Sequence, residues 1–283
     1  MTDKTHSANK RFVADTHWSV AFLDVPLFAH LDALFSLSSH SEWPSVEWFN
    51  QLSDGIVLAS GQKLKFVAND DLANETRYYE QIIYETGQVP TRLENWHDLF
   101  GAFIWLLFPK TKSLLNQLHI NEINEFGLVE RSTARNAITL FDECGVIVTY
   151  DPTDLLASQI PVLLQTHQWS DAFVTHRALW GNQINAFMFG HANYEMATKP
   201  YLGLTGKVLF LPLISEFNLL SLKKLYQELD DALCNHISDN QVLINNKQLS
   251  PMPFLGIPNW YDDNQDPQFY HNTDYFRPKR RNT

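Results

Sequence analysis

Cysteine is scarce in this sequence. Cys144 and Cys234 are the only two among 283 residues, and with no Cys-x-x-Cys they suggest neither a disulfide framework nor a thiolate zinc site. A reducing compartment is expected. Positive charge is also in short supply: 21 Lys and Arg face 32 Asp and Glu, a net of −11, which disfavours the broad basic surface that phosphate backbones require. General nucleic-acid binding is therefore not expected, and the local run Arg277-Pro278-Lys279-Arg280-Arg281 reads as a solvated tail. The longest uncharged apolar run, Leu99 to Pro109, is too short to span a bilayer, and Met1 to Lys10 lacks the apolar stretch of a signal peptide. These absences point to a cytoplasmic protein without membrane association. Also missing are Gly-x-Ser-x-Gly, Gly-x-x-x-x-Gly-Lys, His-Glu-x-x-His and the dinucleotide fingerprint.

What the sequence does hold is 45% hydrophobic and 13% aromatic residues, ample for a core. No repeat or linker divides it. Residues 1–60, with Pro26 and Pro44, suggest short helices that wrap a single main domain over 61–283, whose Pro-rich end, 251–283, forms an irregular arm. Gly61 to Val67 alternates like a strand, and Asp70 to Thr86 reads as a helix stopped by Gly87, followed by a turn at Val89-Pro90-Thr91. A helix is predicted from Asn95, and a second one from Pro109, since proline suits a first turn. Two β-rich runs, Ala137 to Phe141 and Val146 to Tyr150, flank Asp142-Glu143-Cys144-Gly145 and predict a hairpin over 137–150. Asp171 to Trp180 and Asn182 to Thr198 read as helices, Thr205 to Leu213 as a strand, and Leu222, Leu225, Leu229 and Leu233 mark a last amphipathic helix. The predicted class is α+β, predominantly helical with a small antiparallel sheet that includes the hairpin.

Three polar clusters stand in these apolar surroundings. His97-Asp98 falls in the first turn after Asn95, where Asp98 can serve as the N3 partner of the cap, while His97 is free to act as a ligand or base. Asp142 and Gly145 suit a turn, but turn chemistry does not require Glu143, and a paired carboxylate on a rigid tip can bind a cation or accept a proton. His191 and Glu195, four apart, fall on the face predicted for Ile184, Phe187 and Met188; they can form a buried structural pair or jointly ligate a metal. Arg92, Lys110, Lys112, Arg131 and Arg135 lie near these clusters in sequence and can pair with them or hold an anion.

The order of short pieces resembles a bacterial family, domain of unknown function 3025. The pieces are Val89-Pro-Thr-Arg92, Asn95-Trp-His-Asp-Leu-Phe100, Phe108-Pro109, Thr139-Leu-Phe-Asp-Glu143, Gly190-His-Ala192 with Glu195, Pro253-Phe-Leu-Gly-Ile-Pro258 with Trp260, and Phe276-Arg-Pro278. The resemblance implies that the three clusters belong to one design and implies no activity, cofactor or catalytic residue. From the residues themselves, the expectation is a metal-assisted hydrolase or related enzyme. His97, His191, Glu195 and Asp142 would ligate zinc, manganese or iron, Glu143, His97 and Asp98 would do acid/base work, and Arg92 and Arg135 would hold a small anionic substrate. The alternative is a non-catalytic interaction or regulatory protein, which predicts separated clusters and an exposed aromatic patch around Trp260 and Tyr261 as a protein-partner surface.

Overall fold

The computed structural model describes residues 12–214 and 219–279. Its helices are α1 (Ala29–Phe35), α2 (Val46–Leu52), α3 (Tyr79–Thr86), α4 (Trp96–Leu107), α5 (Pro109–Phe126), α6 (Thr133–Cys144), α7 (Ile160–Gln165), α8 (His191–Ala197) and α9 (Leu222–Asp239). Its strands are β1 (Lys65–Ala68), β2 (Gln88–Thr91), β3 (Gly145–Tyr150), β4 (Ile184–Met188), β5 (Gly206–Pro212) and β6 (Ser250–Met252). This is an α+β fold. Among the described residues, no helix is long and apolar enough to cross a membrane.

Helix α4 starts where the cap predicts. Asn95 Oδ1 accepts from the Asp98 backbone N–H at 3.1 Å, satisfying an amide that has no partner within the helix. Phe100, Phe103 and Ile104 then recur on faces that are wholly buried, and Pro109 opens α5 immediately behind, in a position where its missing N–H costs nothing. The N-terminal segment closes over α4: Trp18 stacks on Trp96 with ring centroids 5.5 Å apart, and Phe22 meets Phe100 edge-on.

The larger sheet has the order β4-β3-β5-β6. Strand β3 runs antiparallel to β4 and parallel to β5, so the sheet is mixed rather than antiparallel. The predicted hairpin over 137–150 is not there. Residues Thr133–Cys144 are helical and only the second half is a strand. Two features decide this. Ser132 caps α6 by accepting from the Arg135 N–H at 3.0 Å, and Arg135, Ile138 and Phe141 recur at helical spacing on its buried face. Strand β3 is buried along nearly all its length, with a neighbour on each side drawn from distant sequence.

Other boundaries shift for similar reasons. Asp70 to Thr86 is helical in its second half, after a 3-10 turn at Asn69–Leu72, and Gly87 ends it as predicted with φ 72°. Val89-Pro90-Thr91 belongs to β2, paired parallel to β1. Asp171 to Trp180 divides into a π turn and a 3-10 turn, and Asn182 to Thr198 divides into β4 and α8. The C-terminal arm holds only short elements: 3-10 turns at Phe254–Gly256, Asp262–Gln265 and Pro267–His271, and an edge strand at Ser250–Met252 on β5, where Pro251 is tolerated because edge positions need no second set of ladder bonds. Of the basic tail, Arg280 and Arg281 lie outside the described residues, as does the polar stretch Met1 to Lys10; the Arg277 carbonyl is tied down by the Trp169 indole N–H at 2.9 Å.

Candidate metal centre

Three helix ends meet at one place. His97 is the second residue of α4, Asp142 and Glu143 sit in the last turn of α6, and His191 is the first residue of α8. Glycine makes this approach possible. A Cβ at Gly190 would lie 2.5 Å from both the Glu143 carbonyl oxygen and the Gly145 nitrogen, so α8 abuts the end of α6 only because position 190 has no side chain. Gly190 also donates its N–H to the Gly145 carbonyl at 2.8 Å. Gly190→Ala is expected to cost about 2–3 kcal/mol through overpacking against backbone that has no room to yield. Urea denaturation measures this, and a loss below about 0.5 kcal/mol, the usual spread of a surface substitution, would count against the close packing described here.

The two imidazoles face each other, with Nε2 to Nε2 at 2.9 Å. Glu143 Oε2 lies 3.8 Å from the His97 Nε2 and 3.6 Å from the His191 Nε2. One donor atom from each of His97, Glu143 and His191 thus falls within 4.8 Å of the others. Nitrogen ligands about 2.0–2.1 Å from one ion stand about 3.0 Å apart at a right angle and about 3.4 Å apart at a tetrahedral angle. The imidazole spacing matches the former, and Glu143 needs to move by only a few tenths of an ångström.

The remaining ring nitrogens are directed at carboxylates. His97 Nδ1 lies 3.1 Å from Glu195 Oε2, and His191 Nδ1 lies 4.0 Å from Asp142 Oδ2. His191 Nδ1 is buried and has no hydrogen-bond partner at that distance. His97 shows the pattern of a metal-bound histidine, in which a carboxylate behind the ring fixes its tautomer and turns the Nε2 lone pair forward, while Asp142 lies behind His191 beyond hydrogen-bond distance. Asp142 is in turn held by Lys112, whose Nζ is 2.5 Å from Oδ1.

Electrostatics single out Glu143. A carboxylate in the last turn of a helix sits at the unfavourable end of the dipole and favours a cation. Asp142 has Lys112, whereas among the described residues Glu143 has no lysine or arginine and faces only the two imidazoles. Burial opposes protonation of His97, but the Glu195 hydrogen bond and the charges of Glu143 and Glu195 outweigh it and raise its pKa. Burial lowers the pKa of His191, and the nearby Lys112 charge adds to this, against the pull of Asp142 and Glu143. Burial also works against ionisation of Asp142, yet Lys112 and His191 keep its carboxyl below the usual range.

The structure therefore brings His97, Glu143 and His191 together and puts other predicted residues to different use. Glu195, expected as a ligand, stands behind His97, and Asp142 stands behind His191. The helical face argued for His191 does not exist, because Ile184–Met188 is a strand, although the spacing of His191 and Glu195 survives within α8. Asp98 does not reach back to the cap. Its carboxylate accepts from the Arg92 backbone N–H at 2.6 Å and from the Arg92 guanidinium at 2.7 and 3.1 Å, which commits both residues to each other at the cavity edge. Arg135 cannot hold a substrate: it is 1% exposed and donates to the carbonyls of Gly127, Leu128 and Glu130, closing the chain between α5 and α6. Lys110 is also engaged, pairing with Asp231.

The triad opens into a cavity of about 460 Å³ that reaches Glu80, Lys112, His119, Arg131 and Thr139. Of these, Glu80 and His119 carried no local sequence signal, since both lie in ordinary amphipathic helices. Trp260 and Tyr261 do not form the exposed patch of the interaction alternative; both pack against the core, Trp260 on Phe254 and Tyr261 on Phe269.

The chain belongs to a family of proteins of unknown function, DUF3025, whose profile matches residues 64–280. That span contains the whole triad, the carboxylates behind it and the cavity. No curated protein and no solved structure matches the chain.

Proposed function

We propose that this family member is a divalent-metal enzyme of hydrolytic type acting on a small anionic molecule, with His97, His191 and Glu143 as the protein ligands. The observation that carries the reading is the pair of Nε2 atoms 2.9 Å apart with the Glu143 carboxylate beside them, each ring backed by a carboxylate. Two imidazoles and one carboxylate suit zinc, iron or manganese, and three protein ligands leave coordination positions open. A metal held there supplies Lewis acidity and lowers the pKa of bound water. The chain supplies the rest: Glu195 and Asp142 orient the rings, Lys112 holds Asp142, and the cavity walls limit the size of what enters.

Elemental analysis of protein purified without an affinity tag tests this directly, with near-stoichiometric zinc, iron or manganese as the expected result. Metal affinity should fall with acidification. Ligation needs both Nε2 atoms free of protons, and His97, with its raised pKa, is the first ring to take one up as the pH drops. Affinity should therefore level off above the His97 pKa and decline below it by about tenfold per pH unit for a single competing proton. Calorimetric titration across pH measures the profile. Protein that neither carries metal nor takes it up at neutral pH would end the metal reading.

A metal-free acid/base dyad is favoured by the same 2.9 Å contact taken as a hydrogen bond, which one imidazole donates and the other accepts. Metal content separates the two.

A further inference from the structure

The cavity beside the triad is lined by three cationic side chains, and two are committed. Arg92 is paired with Asp98, and Lys112 with Asp142. Arg131, the third, has no carboxylate partner among the described residues; its Nη2 donates to the Thr139 hydroxyl. That hydroxyl spends its own proton on the Arg135 carbonyl at 2.9 Å, so its lone pair is turned to Arg131 and steadies the guanidinium at the cavity wall.

A second group has an unmet requirement. His119 lines the same cavity, is 5% exposed, and its Nδ1 is buried without a hydrogen-bond partner. Leaving such an atom unpaired is costly, so a group that reaches it from the cavity gains a hydrogen bond. Burial lowers the His119 pKa to about 4, with Lys112 and Arg131 among the charges that add to this, so at neutral pH the ring is neutral and carries one N–H. Glu80, also on the wall, is pushed up to about 7 by burial against the pull of Lys112 and Asn116, which lessens its repulsion of an incoming anion.

We propose that Arg131 and His119 form the recognition end of the cavity and bind the oxyanion, carboxylate or phosphate, of a small molecule. The guanidinium offers parallel N–H groups that match two oxygens of such a group, and the imidazole offers a hydrogen bond deeper in. That the opposite end of this molecule carries the bond to be cleaved rests on the metal reading; the anion site itself does not.

Isothermal titration of the full-length protein with inorganic phosphate and, separately, with succinate tests the assignment and distinguishes the two oxyanions. One of them is expected to bind wild type and to bind Arg131→Gln about tenfold or more weakly, with Arg131→Lys between them and His119→Gln also weakened. Arg131 is exposed, so its replacement should leave folding intact, and metal content should match wild type in the Arg131 and His119 variants. No binding of either anion to wild type, or equal binding by Arg131→Gln, overturns the proposal. Arg131-dependent binding that persists in His97→Ala supports it even if no metal is found. Binding lost in His97→Ala but kept in Arg131→Gln places the anion on the metal and overturns it.

Discussion

His191→Ala is expected to lose bound metal altogether, and His97→Ala and Glu143→Ala to do the same, whereas Glu195→Gln and Asp142→Asn should bind it more weakly without losing it. The ordering follows from which atoms face inward. His97 Nε2, His191 Nε2 and Glu143 Oε2 face one another, while Glu195 and Asp142 address the Nδ1 atoms behind the rings. Losing an orienting carboxylate typically costs about 10–100-fold in metal affinity or activity, and losing a ligand should exceed that. Elemental analysis and competition with a chelator resolve the two classes, provided circular dichroism shows the variants folded. Glu195→Gln proving more damaging than Glu143→Ala would exchange the roles of the two residues. Metal-free His191→Ala should itself lose about 1–3 kcal/mol, because the ring is buried and within hydrogen-bond distance of His97 whether or not it ligates a metal.

The sequence offered His97, Glu143 and His191 as parts of one cluster, which the structure brings together, but not how their side chains are arranged. Asn95 as a cap and Pro109 as a first-turn residue are local signals, and both helices begin there. By its spacing, Gly190-His191-Ala192 with Glu195 continues a longer helix from Asn182. The actual break is Gly190, whose bare Cα is needed against Glu143 and Gly145, a contact with residues far away in sequence. Segment 137–150 misled because β-branched Ile138 and Thr139 precede a turn-like Asp-Glu-Cys-Gly, while the opposing signals, the Ser132 cap and the spacing of Arg135, Ile138 and Phe141, span more residues. That error carried over to the site, where the end of a helix turns Asp142 toward Lys112 and Glu143 toward the imidazoles. Antiparallel pairing of β3 with β4, which sets the end of α6 beside the start of α8, connects residues some forty positions apart, Val146 with Met188, and leaves no local trace. Arg135 shows the opposite limit: an arginine near acidic residues looks the same in sequence whether it awaits a substrate or closes a turn.

Lys112→Met is expected to destabilise the protein by about 3–5 kcal/mol at neutral pH, the range for breaking a buried ion pair on one side. Lys112 is 7% exposed, its ammonium lies 5.1 Å from the centre of the Trp105 ring, and it is the cation on Asp142. Without it, the Asp142 carboxylate is left mostly buried at the negative end of α6, with His191 as its nearest remaining partner. Two consequences separate this from a generic core defect. Asp142→Asn in the same chain should restore much of the stability, since the uncompensated charge is then gone. The loss should also depend on pH with a definite sign. In wild type the folded carboxyl is held below its ordinary pKa, so the pair stabilises above that pKa and the contribution fades as pH falls through the depressed value. The gap between wild type and Lys112→Met should therefore be widest near neutrality and close in acid. Urea denaturation of metal-free protein at neutral and acidic pH measures both effects. A loss under about 1 kcal/mol, typical of an exposed pair, would mean that Asp142 is solvated and does not hold His191 in place.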